Sequence, residues 1–83
     1  MQWLRSRVGC LVELRRTGKL EDIGPLATQL KESAAEMGYE EITAAAGAVR
    51  RLVDVDPQSL DAAIEILRRV VNRAARGVRH VAA

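Results

Sequence analysis

Apolar residues in this chain return every three or four positions in four successive stretches, and that period fits helices rather than strands. The clearest stretch is Leu20, Ile23, Ala27, Leu30, Ala34 and Met37, one stripe along a helix from about Leu20 to Met37. Ahead of it, Leu4, Val8 and Leu11, with Val12 at the edge, stripe a first helix from Trp3 to about Arg16. Trp3, Cys10 and Leu14 border that stripe. A third helix, from about Glu40 to Val53, turns Ile42, Ala45, Ala46, Val49, Leu52 and Val53 inward. The last carries Leu60, Ala63, Ile64, Leu67, Val70, Val71 and Ala74. Strand-like alternation, internal repeats and low-complexity segments are missing from the sequence.

The breaks between stripes have their own chemistry. Thr17-Gly18 and Met37-Gly38-Tyr39 put glycine just past a stripe, where the left-handed backbone that ends many helices costs it least. Asp56 is placed to cap the last helix, and Pro57 suits a first helical position, where its missing N–H is not needed. That helix should end near Gly77, leaving residues 78–83 as a frayed tail. Gly24-Pro25 is the awkward point. Either the second helix begins near Asp22, or it begins near Lys19 and bends at Pro25. The phase of Leu20 and Ile23 favours the longer helix.

Residues of 48% apolar but only 2% aromatic character leave Leu, Ile, Val and Ala to build the core, which suits closely packed helices. The low-bulk run Ala44-Ala45-Ala46-Gly47-Ala48 points the same way, with Gly47 expected where a neighbouring helix comes close. The fold class that follows is all-α, an antiparallel four-helix bundle forming one domain over residues 1–83.

Several functions are disfavoured by the same sequence. No run approaches the length of a membrane span, and the start lacks a signal-peptide pattern. One cysteine, Cys10, forms no disulfide within a chain, which fits a reducing, cytoplasmic setting; it reads as a packed small hydrophobe rather than a reactive thiol. One cysteine and one histidine cannot assemble a Cys/His zinc site in one subunit, so no metal or cofactor is expected. His80 reads as an ordinary exposed histidine, and the carboxylates fall on solvent faces and helix starts, so an enzyme is not expected. The net charge of +2 is uninformative, but its distribution is uneven. Glu32, Glu36, Glu40 and Glu41 make one region acidic. No acid follows Glu65, while Arg68, Arg69, Arg73, Arg76 and Arg79 do. An acidic end and a basic end are expected. Arg69, Arg73 and Arg76 share a face with Arg68 off it, yet no aromatic platform accompanies them, so nucleic acid is not the favoured partner.

One stretch carries a likeness. Leu26-Ala27-Thr28-Gln29-Leu30-Lys31-Glu32-Ser33-Ala34-Ala35, followed by Gly38, resembles the signature of histidine-containing phosphotransfer domains, roughly Leu-Ala-His-x-Leu-Lys-Gly-Ser/Ala-Ala and a later glycine. Gly38 to Ala46 is similar to that family's turn into an alanine-rich helix, and Arg15 to Glu21 to its upstream turn. The likeness covers about Val8 to Ala75. It implies a four-helix bundle that exchanges a phosphoryl group with the aspartate of a receiver domain. It also implies a site in which Thr28 takes the histidine position, Lys31 matches the charge-balancing lysine and Glu32 takes the glycine position. A threonine hydroxyl is a weak nucleophile without a base, and Glu32 adds bulk and negative charge where a receiver would approach. The expected function is therefore a pseudo-phosphotransfer module. It would bind a response-regulator receiver or histidine kinase domain through the exposed faces of the first two helices, with Pro25, Gln29, Lys31 and Glu32 at the contact. The alternative is a structural assembly module, one that self-associates as a homo-oligomer or packs on a larger partner, suggested by Trp3 and the small size of the chain.

Overall fold

The glycine stops work as local chemistry requires. In the computed structural model, which describes residues 2–82 and side chains through residue 76, Gly18 and Gly38 adopt φ of 76° and 81°. Each closes its helix with the paired bonds of a left-handed cap. Gly18 N–H donates to the Arg15 carbonyl at 3.2 Å and Lys19 N–H to Leu14 at 2.9 Å. Gly38 N–H donates to Ala35 at 3.1 Å and Tyr39 N–H to Ala34 at 2.9 Å. These turns separate α1 (Gln2–Arg16), α2 (Leu20–Glu36) and α3 (Glu40–Val55). A single 3₁₀ turn, Pro57–Ser59, then leads into α4 (Leu60–Ala82). No strand occurs among the described residues.

Three local expectations are corrected. Asp56 does not cap through its side chain. Its carboxylate accepts a bond from Ser59 Oγ at 2.7 Å, and Pro57 starts the 3₁₀ turn rather than α4 itself. Gly77 does not stop α4, which stays helical to Ala82, so the backbone of residues 78–82 continues the helix. Glycine serves as a helix stop where it takes positive φ, as Gly18 and Gly38 do, whereas α4 runs straight through Gly77. The His80 side chain and Ala83 lie outside the described residues. Pro25 sits inside α2, in agreement with the longer of the two starts considered.

The four helices share one core. Leu4, Val8 and Leu11 of α1 meet Ile23, Ala27, Leu30 and Ala34 of α2, Ile42, Ala46 and Val49 of α3, and Leu60, Ala63, Ile64, Leu67 and Val71 of α4. Every buried side chain among the described residues is aliphatic, and no polar side chain is buried. Leu20, Ala45, Leu52, Val53, Val70 and Ala74 are only partly buried around this centre. Met37 and Val12 face solvent, at 50% and 42% exposure. Met37 fails because the helix has already ended and it serves as the C-cap residue. Cys10 is also exposed, which overturns its reading as a packed hydrophobe; it lies on the side of α1 away from Leu4, Val8 and Leu11.

The 23 residues of α4 set the 40 Å long axis of a molecule 20 by 17 Å in section. Arg15, near the end of α1, pairs with Asp61, near the start of α4, at 3.0 Å. Arg73 of α4 reaches Glu41, at the start of α3, at 3.5 Å. This last contact corrects the charge map. Glu40 and Glu41, just past the α2–α3 turn, border one hollow with Arg73 of α4, so this part of the acidic region lies beside an arginine of the basic helix rather than at an opposite end.

The core has no aromatic or sulfur side chain to fill a gap, so truncation inside it leaves an empty space. Leu30→Ala should lower the free energy of unfolding in urea by about 2–5 kcal/mol. Gly38→Ala, which forces a side chain into positive φ, should lower it by about 1 kcal/mol without touching the core.

Candidate functional site

Thr28 follows Ala27, which is wholly buried, so its side chain leaves α2 at the margin of the core. It is half-buried, in a groove of about 580 Å³ between the first half of α2 and the last turns of α3. Gly24, Pro25 and Thr28 form one wall; Arg50, Val53 and Asp54 form the other. The Thr28 hydroxyl donates to the Gly24 carbonyl at 3.1 Å, the back-bond that threonine commonly makes within a helix. Its proton is therefore held by a backbone carbonyl, and no side-chain base is bonded to it among the described residues.

The other candidates surround this groove unevenly. Pro25 is exposed on its rim. Lys31, one turn on, is exposed, and its aliphatic stem runs beside Gly47 of α3. Glu32 and Gln29 are exposed and do not line the groove. The face bordering Thr28 is thus made by α2 and α3, not by the first two helices. The reason is packing: α2 makes its most extensive interface with α3.

Two residues with a part in this groove were not legible as such. Gly24 is buried, and a Cβ there would stand 3.7 Å from Arg50 Cδ, Arg50 Nε and Val53 Cγ1. Arg50 therefore lays its stem over Gly24, and its Nη1 donates to Asp54 Oδ2 at 2.6 Å. The signal was present in two forms: the i,i+4 spacing of Arg50 and Asp54, and a glycine in phase with the apolar stripe of α2. Gly47, expected where a neighbouring helix comes close, meets only the Lys31 stem, at 3.8–3.9 Å from its would-be Cβ. At both glycines an added Cβ would meet side chains at ordinary van der Waals distance; Gly24 differs in being buried under the Arg50 stem.

The carboxylates held below their ordinary range are Glu13, through its hydrogen bond with Arg16, and Glu65, through its bond with Arg68. Both lie on exposed flanks of other helices. Among the described residues no group of three or more His, Cys, Asp or Glu is placed to hold a metal ion, and no helix is long and apolar enough to cross a membrane. No protein-family model matches the chain, nor does any curated protein or solved structure.

Because the would-be Cβ of Gly47 meets only ordinary van der Waals distances, its substitution tests which glycine the helix pair needs. Gly47→Ala should raise thermal stability, by about 0.5–1 kcal/mol from helix propensity alone. Gly24→Leu, which must displace Arg50 and Val53, should lower it.

Proposed function

We propose that this chain is a pseudo-phosphotransfer module, an antiparallel four-helix bundle that docks on a receiver or histidine kinase domain and does not carry a phosphoryl group on histidine. The observation that carries this reading is the state of Thr28. It stands at the position the resemblance assigns to the histidine, at the edge of an open groove, and its hydroxyl is committed to the Gly24 carbonyl. A hydroxyl so engaged lacks the base that a nucleophile of this kind needs. Pro25, Gln29, Lys31 and Glu32 are all exposed on the same half of α2 or the turn after it, available to a partner. The docking face in this reading includes α3, because Arg50 and Asp54 complete the groove.

A self-associating assembly module is the weaker alternative. Trp3 is 39% exposed, with the Arg7 guanidinium 5.2 Å from its ring centroid. Among the described residues, the other exposed large apolar side chains, Val12, Met37, Val55 and Ile66, come from α1, the end of α2, α3 and α4. They do not gather on one helix, as a dedicated association stripe would.

Pull-down against the receiver and kinase domains of the source organism should enrich at least one receiver or kinase domain. Lys31→Glu should weaken that binding by about tenfold if the lysine faces an acidic pocket. Enrichment of none would sink the proposal. Incubation with a phosphorylated receiver should leave no acid-labile phosphoramidate on the chain. In Thr28→His with Glu32→Gly, partial labelling is expected: the aspartyl phosphate P–O bond breaks, an N–P bond forms on the imidazole, and the receiver carboxylate leaves.

A further inference from the structure

We propose that the trough between α1 and α4 binds a small organic phosphate. Two adjoining hollows make up this trough. The first, about 520 Å³, is bordered by Arg5, Ser6, Gly9, Arg68, Val71 and Asn72. The second continues it between Arg5, Asn72, Ala75 and Arg76. Arg5 and Asn72 line both, and no acid lines either.

The pairing of the neighbouring arginines shows where positive charge is left over. Glu65 engages Arg68, which donates from Nε at 3.0 Å and Nη2 at 2.6 Å, and it also lies 3.4 Å from Arg69 Nε. Arg73 turns away to Glu41 on α3. Arg5 and Arg76 pair with no acid among the described residues. Two guanidinium groups therefore border one hollow beside the half-buried Asn72 amide. Both arginines are exposed and free to turn toward an anion in the hollow, and the guanidinium fork matches the oxygens of a phosphate.

A second observation is independent of charge. Gly9 lies in the interior of α1, where glycine costs about 0.5–1 kcal/mol relative to alanine. A Cβ on it would meet nothing within 4 Å. Packing within the fold therefore does not require glycine there, and at this exposed position it lines the trough without adding a side chain to it. Space of this size exceeds what one phosphate needs and falls within the roughly 300–1,000 Å³ of small-molecule sites. The polar rim of Gln2 and Ser6 suits a hydroxyl-bearing organic part.

The same facts argue against a nucleic-acid backbone. The row of arginines without acid partners is short, since Glu65 neutralises Arg68 and draws on Arg69. No aromatic side chain lines the trough to stack a base.

The test uses the full chain, labelled for amide NMR and titrated with ribose 5-phosphate, ribose and inorganic phosphate. Ribose 5-phosphate should give saturable shifts at Arg5, Ser6, Gly9, Asn72 and Arg76. Inorganic phosphate should bind more weakly and ribose should not bind. Arg5→Gln and Arg76→Gln should each weaken the sugar phosphate by about tenfold, the scale of one charged hydrogen-bonding group. Gly9→Leu should keep the thermal unfolding cooperative, because its side chain has room, yet remove the advantage of ribose 5-phosphate over phosphate. The absence of saturable shifts at these residues would overturn the proposal, as would unchanged affinity in both arginine variants. Arginine-dependent binding of anionic lipid vesicles or of an oligo-dT strand, with no response to the sugar phosphate, would also overturn it and assign the trough to a macromolecular phosphate.

Discussion

The packing of α2 against α3 is the constraint on which the rest of this molecule depends. It is the most extensive helix pair, and α2 enters it with Ala27 and Ala34 wholly buried and Gly24 buried beside them, while α3 contributes Ala46. Small side chains allow the two axes to approach, and close-packed interiors punish any change of volume there. Leu30, Ile42 and Val49 then fill the space toward α1 and α4. The groove holding Thr28 exists because this pair is close at its core edge and opens outward past Gly24, where the Arg50 stem lies across the glycine.

A wholly aliphatic core has a second consequence: no charged side chain among the described residues is buried. Most ion pairs there join residues three or four apart on one helix, as Arg16 with Glu13 and Arg50 with Asp54 do. Exposed pairs of this kind are screened by solvent and contribute little to stability, so they trim the surface rather than hold the fold. Their value is in sorting charge. Glu65 pairs with Arg68 and Arg69 and Glu41 with Arg73, while Arg5 of α1 and Arg76 of α4, two of the arginines left without an acid partner among the described residues, line the α1–α4 seam. The proposed phosphate trough and the proposed docking groove thus lie on different helix seams of one small domain.

Much of the fold was legible in the sequence because its signals are local. The three-to-four spacing identified four helices, and Gly18 and Gly38 identified two of the turns, since positive φ is a property of the residue itself. Local signals failed where a residue had more than one use. Asp56 had the chemistry of a cap but accepts from Ser59 instead, and Gly77 had the chemistry of a stop but remains helical. At the candidate site, the α2 residues were found through their likeness to a motif. Arg50 and Asp54 were not, because nothing in the spacing of α3 says which part of α2 it will face.

The sequence alone determined the helical class, the number of helices, the two glycine turns and an aliphatic core, all of which follow from backbone preference and apolar period within a dozen residues. Tertiary structure alone decided which helices meet. It set α3 rather than α1 beside Thr28, buried Gly24 under the Arg50 stem, and brought Glu41 beside Arg73 of α4. The physical reason is that periodicity fixes which face of a helix is apolar. The partner of that face is chosen by shape and volume summed over the whole core.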